Sequence, residues 1–137
     1  MIYLLTFIAI ALSVAIVLLP PPRKITVSVG GVEVKAIEPR SLVGKAAGLM
    51  GRKNRVGENA MLFRFFIPGK KTFWTAGMNF PIDIFWIKEG EIISVSENVG
   101  PGMDIIVSPK GTDSVLEISS SLSRKKALPK YGKIIYR

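Results

Sequence analysis

Two acids stand inside apolar runs: Asp83 in Phe80-Pro81-Ile82-Asp83-Ile84, and Glu117 in Val115-Leu116-Glu117-Ile118. Burying an acid is costly unless it finds a partner. Two acids facing one pocket, one with a raised pKa, would meet the needs of a hydrolase working through a carboxylate pair. The competing expectation is structural. Each acid pairs with a base, Arg52 or Arg64 being natural partners, or accepts backbone N–H bonds that fix a loop. The chain has no Cys and no His, which excludes Ser-His-Asp and Cys-His catalysis, disulfides and zinc thiolate sites. Nothing in the sequence brings Ser119 to Ser123 together with Lys125 as a Ser-Lys dyad. Met50, Met61, Met78 and Met103 carry thioethers that suit Cu(I), but Met is more often a core filler. No loop of clustered acids offers a Ca²⁺ site. No metal and no cofactor is expected.

The aromatic residues are the second source of chemistry. Phe73, Trp74, Phe80, Phe85 and Trp86 lie near Lys70 and Lys71, and rings beside cations can stack on sugars or bases. Alternation puts Phe80, Ile82, Ile84 and Trp86 on one face of a strand, and Pro81, Asp83, Phe85 and Ile87 on the other. Both faces are apolar, so that strand is central and its rings are core. Trp74, beside Thr75 and Gly77, is the ring expected at the surface. A ligand surface is expected around Arg52, Trp74, Met78 and Asp83. Gly30-Gly31 and Gly100-x-Gly102 read as turns rather than phosphate cradles, and no specific nucleic-acid signal is present.

The elements that must position these residues fall into two regions. Residues 1–22 read as a transmembrane anchor with a proline-rich hinge, and residues 23–137 as one β-rich domain. Ile2 to Leu19 is apolar except for Thr6 and Ser13, whose hydroxyls can bond back to the helix, and Pro20-Pro21-Pro22 ends it. No charged residue precedes Arg23, so the whole net charge of +9 belongs to the domain. That charge fits either attraction to a polyanion or plain solubility. Arg23, Lys24 and Lys35 follow the apolar run, and the positive-inside rule taken literally puts the domain in the cytoplasm.

Within the domain, Ile25 to Glu38 alternates about Gly30-Gly31 as a β-hairpin. Ser41 to Arg52 has helical spacing, with Gly51 as a cap. Strands are expected over Ala60–Ile67 and Phe80–Lys88. Glu89-Gly90 turns the chain into a partner strand through Ile92, Ile93 and Val95. Short strands follow at Met103–Val107, Val115–Ile118 and Lys133–Tyr136, with one helical turn in Ser119–Leu128. The expected fold class is mainly β. It is a compact sandwich- or barrel-like domain with one or two short helices, preceded by one transmembrane helix.

An ordered set of short pieces carries a family resemblance. These are Gly48-Leu49-Met50-x-Arg52, Met61-Leu62-Phe63, Phe73-Trp74, Gly77-Met78, Phe80-Pro81-Ile82-Asp83-Ile84 and Val115-Leu116-Glu117-Ile118. With this spacing the chain resembles the uncharacterised family called domain of unknown function 192, over roughly Val32 to Ile135. The resemblance implies a β-rich, sandwich-like fold, often preceded by a signal or membrane segment, and it implies no activity. Relatives with export signals place the domain outside the membrane, against the charge count. Ala60, Thr75 and Ser119-Ser120-Ser121 depart from the usual pattern. The leading expectation is a non-catalytic binding module, single-spanning and extracytoplasmic, with an acidic glycan, a lipid headgroup or a membrane-protein partner as its ligand. The alternative is a hydrolase using Asp83 and Glu117, and a third reading is a structural accessory subunit.

Overall fold

A computed structural model describes residues 1–17, 20–51, 60–102 and 105–137. Helix α1 spans Ile2–Val17. Its described side chains are exposed, and they include Tyr3, Leu5, Phe7 and Ile10. The Thr6 hydroxyl donates to the carbonyls of Ile2 and Tyr3, and the Ser13 hydroxyl to that of Ala9. Both polar side chains are thus satisfied within the helix, as expected. Among the described residues, however, no helix is long and apolar enough to cross a membrane. The described helix has 16 residues, whereas the expected span ran on through residues 18 and 19, which lie outside the described set.

The domain begins with β1 (Arg23–Val29) and β2 (Val32–Glu38), paired antiparallel with Arg23 opposite Glu38. Gly30 and Gly31 both have positive φ, +54° and +92°, which the tight hairpin turn requires. Short helix α2 (Leu42–Ala47) is capped by Ser41, whose hydroxyl accepts from the Gly44 N–H at 3.0 Å. It is shorter than the expected Ser41–Arg52, and Arg52 lies outside the described residues. The remaining strands are β3 (Ala60–Arg64), β4 (Thr72–Trp74), β5 (Ile82–Lys88), β6 (Glu91–Val99), β7 (Ile105–Val107), β8 (Ser114–Ser119) and β9 (Ile134–Tyr136). Helix α3 (Ser120–Lys125) follows β8 directly. Strand β4 was not expected.

Seven strands form one sheet in the order β6-β5-β8-β3-β2-β1-β9, and β4 and β7 form a separate ribbon. The large sheet curls into a half-barrel. Its two edges meet where Glu91 bridges Lys133, with the Ile92 N–H bonded to the Gly132 carbonyl and the Ile134 N–H to the Gly90 carbonyl. The domain is therefore mainly β with few short helices, as expected, and of the sandwich- and barrel-like alternatives it takes the curled, half-barrel form with a separate ribbon.

Strands β3, β5 and β8 are buried along nearly their whole length. Their side chains serve two cores. Val27, Val34, Leu62, Phe85, Leu116 and Leu122 belong to the core inside the curl. Met61, Phe63, Ile84, Trp86 and Val115 belong to a second core on the other face, covered by the ribbon and by Leu49 and Met78. Strands apolar on both faces read as continuous runs rather than alternations.

Gly30 is a sensitive point. A Cβ there would lie 2.5 Å from Pro129 Cγ, whereas one at Gly31 meets nothing within 4 Å. Both positions carry backbone strain for an L-residue, on the order of 1–3 kcal/mol. Gly30→Ala is expected to destabilise the domain more than Gly31→Ala, and urea denaturation of the two variants measures the gap.

Candidate functional site

The site is built on Glu117, in the middle of β8. On neighbouring strands Glu117 stands opposite Met61 of β3 and Ile84 of β5. It therefore faces the second core. Where the cover over that face is incomplete, a cavity of about 330 Å³ remains, with Glu117 in its lining. Its walls are Leu49, Phe63, Phe65, Phe73 and Met78. The rings meet edge to face: Phe73 lies 5.8 Å from Phe63, 6.4 Å from Phe65 and 5.5 Å from Trp86, centroid to centroid.

Two glycines let the backbone close over this cavity. Gly48 has a φ of +50°, and a Cβ there would stand 3.2 Å from Glu117 Oε2. Gly77 has a φ of +72°, and a Cβ there would run into Met50 Cγ at 2.6 Å. A side chain at Gly48 would crowd the carboxylate, and one at Gly77 would displace Met50.

Three lysines stand in the lining beside the aromatic walls: Lys45, Lys70 and Lys71. The ammonium of Lys71 lies 4.8 Å from the Phe65 ring centroid and that of Lys45 lies 5.9 Å from it. Such cation–π contacts hold cations over an aromatic face without neutralising them. Trp74 is 50% exposed at the cavity.

Glu117 itself is 5% exposed. It has no ion-pair or hydrogen-bond partner among the described residues, and burial pushes its pKa up to about 7. A buried carboxyl without a base beside it resists ionisation in this way.

Asp83 is placed differently. It stands opposite Ile118, one residue out of phase with Glu117. Side chains alternate along a strand, so the two acids leave opposite faces of the sheet and share no pocket. Asp83 Oδ1 accepts from the Asn98 N–H at 2.9 Å and from the Ser120 hydroxyl at 2.6 Å. It ties β6 to the start of α3 through one backbone N–H and one hydroxyl. The expected hydrolytic pair is thus not assembled. Arg64 partners neither acid. It pairs with Glu38, as does Arg23 at 2.8 Å. Burial raises the Glu38 carboxyl, but its hydrogen bonds to Arg64 and Arg23 and their charges outweigh this, and its pKa lies below the ordinary value.

Of the expected ligand residues, Trp74 and Met78 come together with Glu117, Asp83 does not, and Arg52 lies outside the described residues. Sequence reasoning missed Lys45, Gly48 and Phe65. Gly48 carried a signal, as the first residue of the Gly-Leu-Met piece.

A domain built this way, with one curled sheet and an aromatic cavity under a two-stranded ribbon, matches a known class. Residues 25–134 match the family described as Uncharacterized ACR, domain of unknown function 192, and the chain belongs to that family. A protein of unknown function from Novosphingobium aromaticivorans shares the fold with a TM-score of 0.69 at 23% identity, over 83% of this chain and 84% of that one. A Sinorhizobium meliloti protein described as a candidate transcription regulator superposes with a TM-score of 0.72 at 19% identity, over 85% of this chain and 94% of that one. At these identities the likeness carries the fold alone. No curated protein matches the chain.

The Glu117 carboxyl has a pH signature. Its folded pKa of about 7 lies above the ordinary 4.5. Between those values the folded state holds a proton that the unfolded state has lost, so stability falls as pH rises through that window. At about 1.36 kcal/mol per unit, the penalty above pH 7 is roughly 3 kcal/mol. Glu117→Gln is expected to change little below pH 4.5 and to stabilise the protein by up to that amount at pH 8. Urea denaturation of both proteins across this range is the check.

Proposed function

We propose that the chain is a membrane-tethered binding module, and that the cavity at Glu117 is its ligand site. The observation that carries this is a buried carboxyl, unpaired among the described residues, in the wall of an aromatic cavity that also presents three lysines. Unpaired buried carboxyls are costly to keep. A ligand that supplies the missing hydrogen bond would offset that cost. Convergent polar groups in an apolar pocket fix the orientation of what enters.

The lining favours one class among the expected ligands, the sugar-acid end of an acidic glycan. A sugar ring can stack on Trp74, its anionic group can meet Lys45, Lys70 or Lys71, and a hydroxyl can bond with Glu117. The tether is α1, whose described large apolar side chains are exposed and whose Thr6 and Ser13 hydroxyls are bonded internally. Those features suit a lipid surround. In this reading the domain faces outside the membrane, where such glycans occur.

The test is a titration of the full chain with uronic-acid oligosaccharides, read by tryptophan fluorescence and calorimetry. Trp74→Ala is expected to weaken binding roughly 5- to 150-fold, since stacking contributes about 1–3 kcal/mol. At pH 8, where the Glu117 carboxyl is ionised, Glu117→Gln is expected to weaken binding roughly tenfold, in line with about 1.5 kcal/mol for a hydrogen bond to a charged group. Binding that ignores both substitutions would sink the assignment. Glycan cleavage lost in Glu117→Gln would instead turn the reading to an enzyme with a single acid.

A further inference from the structure

A second feature lies outside the cavity. Between β3 and β4 the chain turns outward at Phe66-Ile67-Pro68. Phe66 is fully exposed and Ile67 is 77% exposed. Two adjacent large apolar side chains in water are unusual at the tip of a loop.

The loop is not loose. Its base is held by the Phe65 N–H bonded to the Asp113 carbonyl at 2.9 Å and the Gly69 N–H bonded to the Thr112 carbonyl at 3.0 Å. The Lys71 N–H bonds to the Ser108 hydroxyl at 2.7 Å. The Lys71 ammonium also donates to the Ile67 carbonyl at 2.7 Å. The fold thus presents Phe66 and Ile67 on a fixed platform.

The surroundings are basic. Phe65 and Phe66 line a groove with Arg23, Arg40, Lys45 and Arg64, and the acids in its lining are Glu38 and Asp113. Glu38 is taken up by Arg23 and Arg64. Asp113 is bonded to the Glu89 N–H and the Ser114 hydroxyl.

Arg23 identifies the occupant. It is the first residue of β1 and follows Pro20-Pro21-Pro22 at the end of the tether. A residue that lines one groove with Arg23 stands at the end of the domain where the chain leaves the bilayer. The geometry points to the Phe66–Pro68 loop as a second membrane contact, dipping into an anionic lipid surface beside the tether. The inference rests on the tethered reading above. Apolar tips flanked by cations bind at the boundary of headgroups and acyl chains, and anionic lipid strengthens them. Two contacts would fix how the domain stands on the membrane, where a tether alone leaves it free to swing.

The absence of Cys makes the test clean. Single-cysteine variants Ile67→Cys, Glu33→Cys and Ile8→Cys of the full chain are spin-labelled in nanodiscs of phosphatidylcholine with or without phosphatidylglycerol. Electron paramagnetic resonance then reads the accessibility of each label to oxygen and to an aqueous nickel chelate. Glu33 is exposed near the far end of β2, about 15–20 Å along the strand from Arg23 at ~3.3 Å per residue. The label at 67 is expected about 5–10 Å deep in anionic discs and shallower in neutral ones, with the label at 33 in water. A label at 67 as wet as that at 33 overturns the inference. Equal depth in neutral lipid overturns its anionic part. Dipolar broadening at 67 between copies sharing a disc would assign the tip to a second copy instead. The label at 8 separates the two claims: buried at 8 but wet at 67 sinks only the docking loop, and wet at 8 sinks the tether.

Discussion

The structure depends on three strands that bury both of their faces. Nearly every residue of β3, β5 and β8 is removed from water. A sheet with such strands at its centre needs two covers. The first comes from the sheet itself, which curls until its edges touch and encloses Phe85, Leu116 and their neighbours. The second must be assembled from separate pieces: the ribbon, the segment after α2 and the loop carrying Met78. Separate short pieces pack less completely than a continuous layer, and the cavity at Glu117 is the space they leave. The site is thus a consequence of how the second face is covered.

Three buried acids show three ways of meeting the same electrostatic cost. Glu38 takes two arginines. Asp83 takes a backbone N–H and a hydroxyl. Glu117 takes neither from the described residues, and its carboxyl shifts toward the neutral form instead. The first two acids are held by partners within the fold, whereas the third has none among the described residues and lines a cavity of about 330 Å³.

Much of this was legible in the residues. Alternation around Gly30-Gly31 located the first hairpin, and the apolar faces of Ile82 to Ile87 located a central strand. The setting of Trp74 beside Thr75 and Gly77 marked it as exposed. The separation of Asp83 from Glu117 was not legible. Alternation assigns faces within one strand, but the relation between two strands depends on register, and a shift of one residue exchanges the faces. Strand β4 was hidden because three residues show no period. The choice between the sandwich- and barrel-like forms stayed open too, since alternation says which side is buried and nothing about where the edges meet. Glu38 escaped notice because it ends an alternating strand, where an acid reads as solvent-facing.

The seam between β6 and β9 reaches beyond shape. A sheet with two free edges invites other chains to add strands to them. Here the edges shield one another, but only where Glu91 and Lys133 meet, through segments widely separated in sequence. The protection is therefore unavailable to a chain still being synthesised. Until Lys133 emerges, the strands that bury both faces stand with an open margin.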